Sequence, residues 1–182
     1  MLFKFNGKFY KAKKRIIEQA RKAKFSVVKK SRKLNLPVSI QLHLFNSMGV
    51  PILLYGCEVW GIEHLQILEQ FQERFCKLIL DLKASTPNCM IYGETGQMPL
   101  ELQIKSRVLC YWARLFNSKD DKISNVLYRT ILSLHVSTII VSQWISYVNN
   151  TLNELGLSYY FESQHVDNFS HFKNIVKCRL KN

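Results

Sequence analysis

Eight cations near the beginning of the chain, Lys11, Lys14, Arg15, Arg21, Lys22, Lys29, Arg32 and Lys33, are the residues whose type and spacing bear most directly on chemistry. Set on a helix at about 100° per residue, they share one side. A single acid, Glu18, interrupts the 13 Lys and Arg of residues 1–33, although the whole chain carries 26 Lys and Arg against 13 Asp and Glu. Cations this dense attract polyanions, meaning nucleic acid or an anionic membrane surface. Contacts from such side chains to phosphates give affinity without reading base sequence. A merely solvated face is the plainer alternative, but solvated helix faces usually mix signs, and this one holds a single acid, Glu18. Phe25 falls on the same basic side. Insertion at a nucleic-acid surface and packing against a later element are its two readings, and packing is preferred.

Groups that could do bond chemistry are scattered. Phosphoryl or nucleotidyl transfer through two metal ions needs clustered carboxylates. Asp120 and Asp121 are the one adjacent acidic pair, and they lie between Lys119 and Lys122 in a polar stretch that reads as a solvated turn. His43, His64, His135, His165 and His171 lie far apart, with no H-E-x-x-H spacing. Neither a nucleophile elbow nor a glycine-rich phosphate loop is present. The five cysteines, Cys57, Cys76, Cys89, Cys110 and Cys178, are odd in number and form no C-x-x-C pair, which argues against a disulfide framework and a finger-type zinc site. Glu58 is a lone acid in an apolar run, suited to pairing with an arginine or facing outward. Trp60, Trp112 and Trp144 each follow an apolar periodicity that suits core packing, with stacking on bases as the alternative role. The expectation is a protein that is not an enzyme, with no catalytic residue, no metal, no cofactor and no small-molecule substrate.

The elements that must position the cations can be read from the apolar pattern. Phe9, Ala12, Ile16, Ala20, Ala23, Val27 and Leu34 recur at helical spacing, so residues 9–34 read as one long amphipathic helix with these residues as its dry stripe. Residues 2–8 alternate apolar and polar and meet Asn6-Gly7, which reads as the end of a strand or a short β hairpin. Residues 38–60 are apolar enough for a buried helix broken around Gly49 and Pro51, with a strand at 50–55 as the competing reading. Residues 63–82 read as a helix with Leu65, Leu68, Phe71, Phe75, Ile79 and Leu82 inside. Residues 84–98 read as a loop with a short helix. Further helices are expected at 99–117, 123–134, 142–155 and 164–180, with Gly156 as a C-terminal cap. The predicted fold is all-α, an irregular bundle of seven or so helices with the N-terminal hairpin. It divides into a basic segment at 1–35 and a helical domain at 36–182.

The net charge is +13 and 47% of residues are apolar, enough to bury a core. No run of 18 apolar residues suggests a transmembrane helix, and the N-terminus lacks the apolar core of a signal peptide. The expected location is therefore intracellular, nuclear or cytoplasmic, not secreted. Asn149-Asn150-Thr151 and Asn168-Phe169-Ser170 then read as chance matches to the glycosylation pattern. A mitochondrial presequence is a minor alternative for residues 1–34, which are acid-poor and amphipathic but rich in Lys instead of Arg.

A series of short motifs runs through the middle of the chain: LFNSMGVPILLYGCEVWG at 44–61, RFCKLILDLKASTPNCMIYGETGQMP at 74–99 and LELQIKSRVLCYWARL at 100–115. In order and spacing this series resembles the region downstream of the palm in LINE-like (non-LTR) retrotransposon reverse transcriptases. The opening FKFNGKFYKA resembles that family's short segment after the last palm strand, and Trp144, Gly156-Leu157 and Gln164 are similar to its tail. The resemblance covers about residues 3–180. It implies a thumb and C-terminal region, whose helices hold a template–primer duplex in related RNA-directed DNA polymerases. It carries none of the palm's catalytic acids, which would lie before Met1, so it implies a non-catalytic fragment of a longer polymerase. The implied partners are RNA, DNA or an RNA–DNA duplex. Apolar surface that would face a missing palm favours self-association. The competing reading is a helical structural or interaction protein with no nucleic-acid role.

Overall fold

A computed structural model of the chain describes residues 9–118, 122–137 and 141–181. Among the described residues the protein is all-α, with eleven helices and no strand. The hairpin expected at residues 2–8 and the acidic pair Asp120-Asp121 lie outside the described residues. The chain forms two compact units, one made of Met1–Gly56 and His64–Glu101, the other of Cys57–Glu63 and Leu102–Asn182.

The first unit opens with α1 (Tyr10–Lys33), 24 residues and about 36 Å of helix. Its N-cap, Phe9, offers no side-chain cap, and its first turn contains no acid. Like charges at i,i+4, such as Lys11 with Arg15 and Lys29 with Lys33, work against the isolated helix. Packing against α2 (Val38–Met48), α3 (Val50–Leu53) and α5 (Gln66–Ile79) therefore supplies its stability. Its end is encoded locally. Asn35 takes φ +47°, and the Leu36 N–H reaches back to the Ser31 carbonyl at 3.0 Å, closing a left-handed cap.

The apolar run after Pro37 is broken where proline and glycine predict, and it is helical apart from turns at Gly49 and at residues 54–56. α2 stops at Gly49, Pro51 sits in the first turn of α3, and the strand alternative at 50–55 is not what forms. A Cβ on Gly49 would run into the Phe45 ring, so the close approach there requires glycine. Phe45 stacks on Phe75 of α5 with ring centroids 3.9 Å apart, and both rings are buried with Leu53, Leu54 and Leu68. α5 is shorter than the predicted 63–82 helix, because Asp81 turns to φ +52° just beyond it. Leu82, expected inside, is consequently exposed, and Leu65 and Ile79 are half-buried. α6 (Asn88–Thr95) is the short helix expected in the 84–98 loop, ended by Gly96 at φ +61°. Glu69 ties this region together. One carboxylate oxygen accepts the Tyr92 hydroxyl, and the other accepts the Glu101 N–H at 3.2 Å.

The second unit is built on α7 (Leu100–Phe116), which begins in the first unit at Leu100 and Glu101. With it come α4 (Cys57–Trp60), α8 (Ile123–Val136), α9 (Gln143–Glu154), α10 (Ser158–Ser163) and α11 (Phe169–Arg179). The predicted 164–180 helix is the shorter α11, whose start is set by the Asn168 side chain accepting the His171 N–H at 3.0 Å. α10 occupies residues for which the apolar period predicted no helix. Gly156, at φ +68°, ends α9 as expected. Trp112 is fully buried, edge-on to Phe116 at 4.7 Å and facing Phe161 and Phe172 at about 6 Å. Its indole N–H donates to the Tyr128 hydroxyl at 2.8 Å. That hydroxyl donates to the Gln164 carbonyl oxygen at 2.7 Å, and the Gln164 amide donates to the Phe161 carbonyl at 2.6 Å.

Candidate nucleic-acid interface

All eight predicted contact residues, Lys11, Lys14, Arg15, Arg21, Lys22, Lys29, Arg32 and Lys33, are exposed on α1. At the helical repeat they occupy an arc of about 120°. Among the described residues no carboxylate forms an ion pair with any of them. Lys14 places its ammonium 4.7 Å from the centre of the exposed Tyr10 ring. Lys30, Arg32 and Lys33 occupy the last turn, where the helix dipole favours cations.

The dry side of α1 is not the predicted stripe. The buried residues are Lys13, Ile17, Ala20, Val27 and Ser31. Ala20 and Val27 belong to both sets, whereas Phe9, Ala12, Ile16 and Ala23 are half-buried and Leu34 is 64% exposed. The buried face is therefore turned by about 50° around the axis from the predicted one. Two causes are visible. The cap at Asn35 throws Leu34 outward, and the flanking helices approach α1 from a side that carries Lys13 and Lys24. A hydrophobicity pattern excludes lysine from a buried face, but the long lysine stem packs along apolar surface.

A cationic cluster that the sequence alone did not reveal lies on this flank. Arg21, Lys24 and Phe25 of α1 face Phe71, Arg74 and Leu78 of α5 across an open groove of about 390 Å³. Lys24 holds its ammonium 5.6 Å from the Phe71 ring centre. Burial first, then the charges of Arg74 and Arg21, lower its pKa below the ordinary lysine value. Phe25, for which packing was the preferred reading, is 69% exposed at the groove edge. Arg74 could not be assigned from sequence, because only the packing of α1 on α5 brings it to the other cations.

The other candidates have structural surroundings. Glu58 pairs with Arg107 at 3.7 Å at a partly exposed position, and its carbonyl accepts the Trp144 indole N–H at 2.8 Å. Burial pushes the Cys57 thiol up to about 12 and the Cys76 thiol up to about 11, away from thiolate chemistry. The His165 ring meets Asp167 at 2.6 Å on the surface. Among the described residues no three His, Cys, Asp or Glu side chains are grouped so as to hold a metal ion. No helix there is long and apolar enough to cross a membrane.

No family model, curated protein or solved structure matches this chain. The motif residues are accounted for by their packing. Phe45, Leu53, Leu54 and Trp60 are core residues, Tyr92 bonds Glu69, Gly96 caps α6, and Leu100 and Trp112 are fully buried. Gly61 donates its N–H to the Cys57 carbonyl at 2.7 Å, and a Cβ there would collide with that carbonyl and with Ile104.

Proposed function

We propose that this chain is a non-catalytic nucleic-acid-binding module that grips the phosphate backbone through the cationic face of α1, in the manner implied by its resemblance to the thumb and C-terminal region of LINE-like reverse transcriptases. The observation that carries this reading is the set of eight exposed cations on one side of α1, without an ion-pair partner among the described residues. A helix with eleven Lys and Arg and one acid repels itself. Phosphates would relieve that repulsion and release counterions to the solvent. The preferred polyanion under this reading is RNA, DNA or their hybrid, with no cofactor and no small-molecule substrate.

Binding measured across a salt series tests it. With about four to six phosphates neutralised, log K should fall against log salt with a slope of about −4 to −5. Replacing Arg15, Lys22, Lys29 and Lys33 with Glu should abolish binding while the helical circular dichroism persists, because all four are exposed. A flat salt response, or undiminished binding by that variant, would remove the proposal.

A second reading, self-association without a nucleic-acid role, is favoured by α8. Ile123, Val126, Leu127 and Ile131, spaced i, i+3, i+4 and i+8, are 42–77% exposed and form one apolar face. Two copies of such a face can cover each other.

A further inference from the structure

We propose that the groove between α1 and α5 receives one unpaired base of a single-stranded nucleic acid, with Phe25 as the stacking surface and Arg21, Lys24 and Arg74 holding the adjoining phosphates. This rests on the reading of α1 as a phosphate-binding helix and narrows it from any polyanion to strands with accessible base faces.

The charge, lining, size and position of the groove lead there. It collects three cations from two helices, and none of them has a carboxylate at ion-pair distance among the described residues. Burial first, then the charges of Arg74 and Arg21, hold the Lys24 pKa below the ordinary lysine value, and an anion in the groove would oppose the charge part of that effect. The walls between the cations are apolar, made by Phe71, Leu78 and the 69% exposed ring of Phe25. A duplex phosphate backbone has no use for such walls, whereas an unpaired base has a π face that stacks on an aromatic ring irrespective of its identity. The volume, about 390 Å³, falls within the range of sites that hold small organic groups. The groove is also continuous with the cationic face, because Arg21 belongs to both. An acidic peptide would satisfy the charges but offers Phe25 an aromatic face only where its sequence supplies one, whereas every nucleotide carries one. This favours a nucleic-acid strand.

The test compares a short mixed-sequence DNA single strand with the blunt duplex formed with its complement, each titrated into the full chain. Phe25→Ala should weaken single-strand binding about tenfold and leave duplex binding and the salt slope unchanged. Phe25→Trp should restore or strengthen single-strand binding. Both variants should fold, since the side chain is largely exposed. Arg74→Ala should weaken the single strand and lower its salt slope by about 1. Equal single-strand affinity in wild type and Phe25→Ala, or equal losses on single strand and duplex, would overturn the stacking site. If the single strand and duplex still lost affinity on reversal of the α1 charges, the backbone reading would survive that outcome. Absence of wild-type binding to either probe would overturn both.

Discussion

Tyr128 shows how a single hydroxyl organises the second unit. It is 5% exposed, accepts from the fully buried Trp112 indole and donates to the half-buried Gln164. Tyr128→Phe keeps the ring and removes the oxygen, leaving the buried Trp112 N–H without its acceptor. The expected loss is about 1–3 kcal/mol of stability, measured as a lower urea midpoint. A midpoint unchanged within error would mean that another acceptor serves the indole. Gln164 is legible in sequence only as a weak motif match. Its left-handed backbone, φ +47°, and its role as the third member of this chain depend on where α10 ends.

Among the elements, α4 depends most on one residue. This single turn ends at Trp60, and Gly61 follows where a Cβ would meet the Cys57 carbonyl and the Ile104 side chain of α7. Backbone cannot give way as the end of a flexible side chain can. Gly61→Ala should therefore destabilise the fold by about 1–3 kcal/mol, an overpacking cost. Chemical denaturation of the variant checks this, and wild-type stability would show that α4 shifts freely. At the same scale, helix existence was readable from the apolar period. α1, α7 and α9 form within a residue or two of prediction. Boundaries failed where a left-handed residue ended a helix before the apolar pattern did, as at Asp81 for α5. Rotation about the axis failed for α1, because periodicity locates an apolar stripe but not which neighbours close over it, and lysine stems can be among the covered atoms.

Across the whole molecule, the two proposed surfaces lie on different units, the cationic face of α1 in the first and the apolar face of α8 in the second. They should be separable by mutation. If copies associate through α8, the wild type should sediment heavier than the 21.4 kDa single chain. Leu127→Glu combined with Ile131→Glu should return it to that mass without weakening nucleic-acid binding. A wild type that sediments as a single chain at all concentrations would dispose of the α8 interface. The density of positive charge belongs to the same scale. Half of all Lys and Arg lie in residues 1–33, so the molecule presents one strongly cationic element on an otherwise nearly balanced chain. Under the proposed reading, this field would steer a polyanion toward α1 from a distance set by ionic strength.

The sequence by itself determined the all-α class, the long first helix and the concentration of cations upon it. These depend on local propensity, period and composition, which act along the chain. Only the tertiary structure decided which side of α1 is dry, that Lys24 shares a groove with Arg21 and Arg74, and that Phe25 stands at the edge of that groove. Those facts depend on the approach of α5, far along the chain from α1, and no local pattern in either helix specifies how two helices will be turned toward each other.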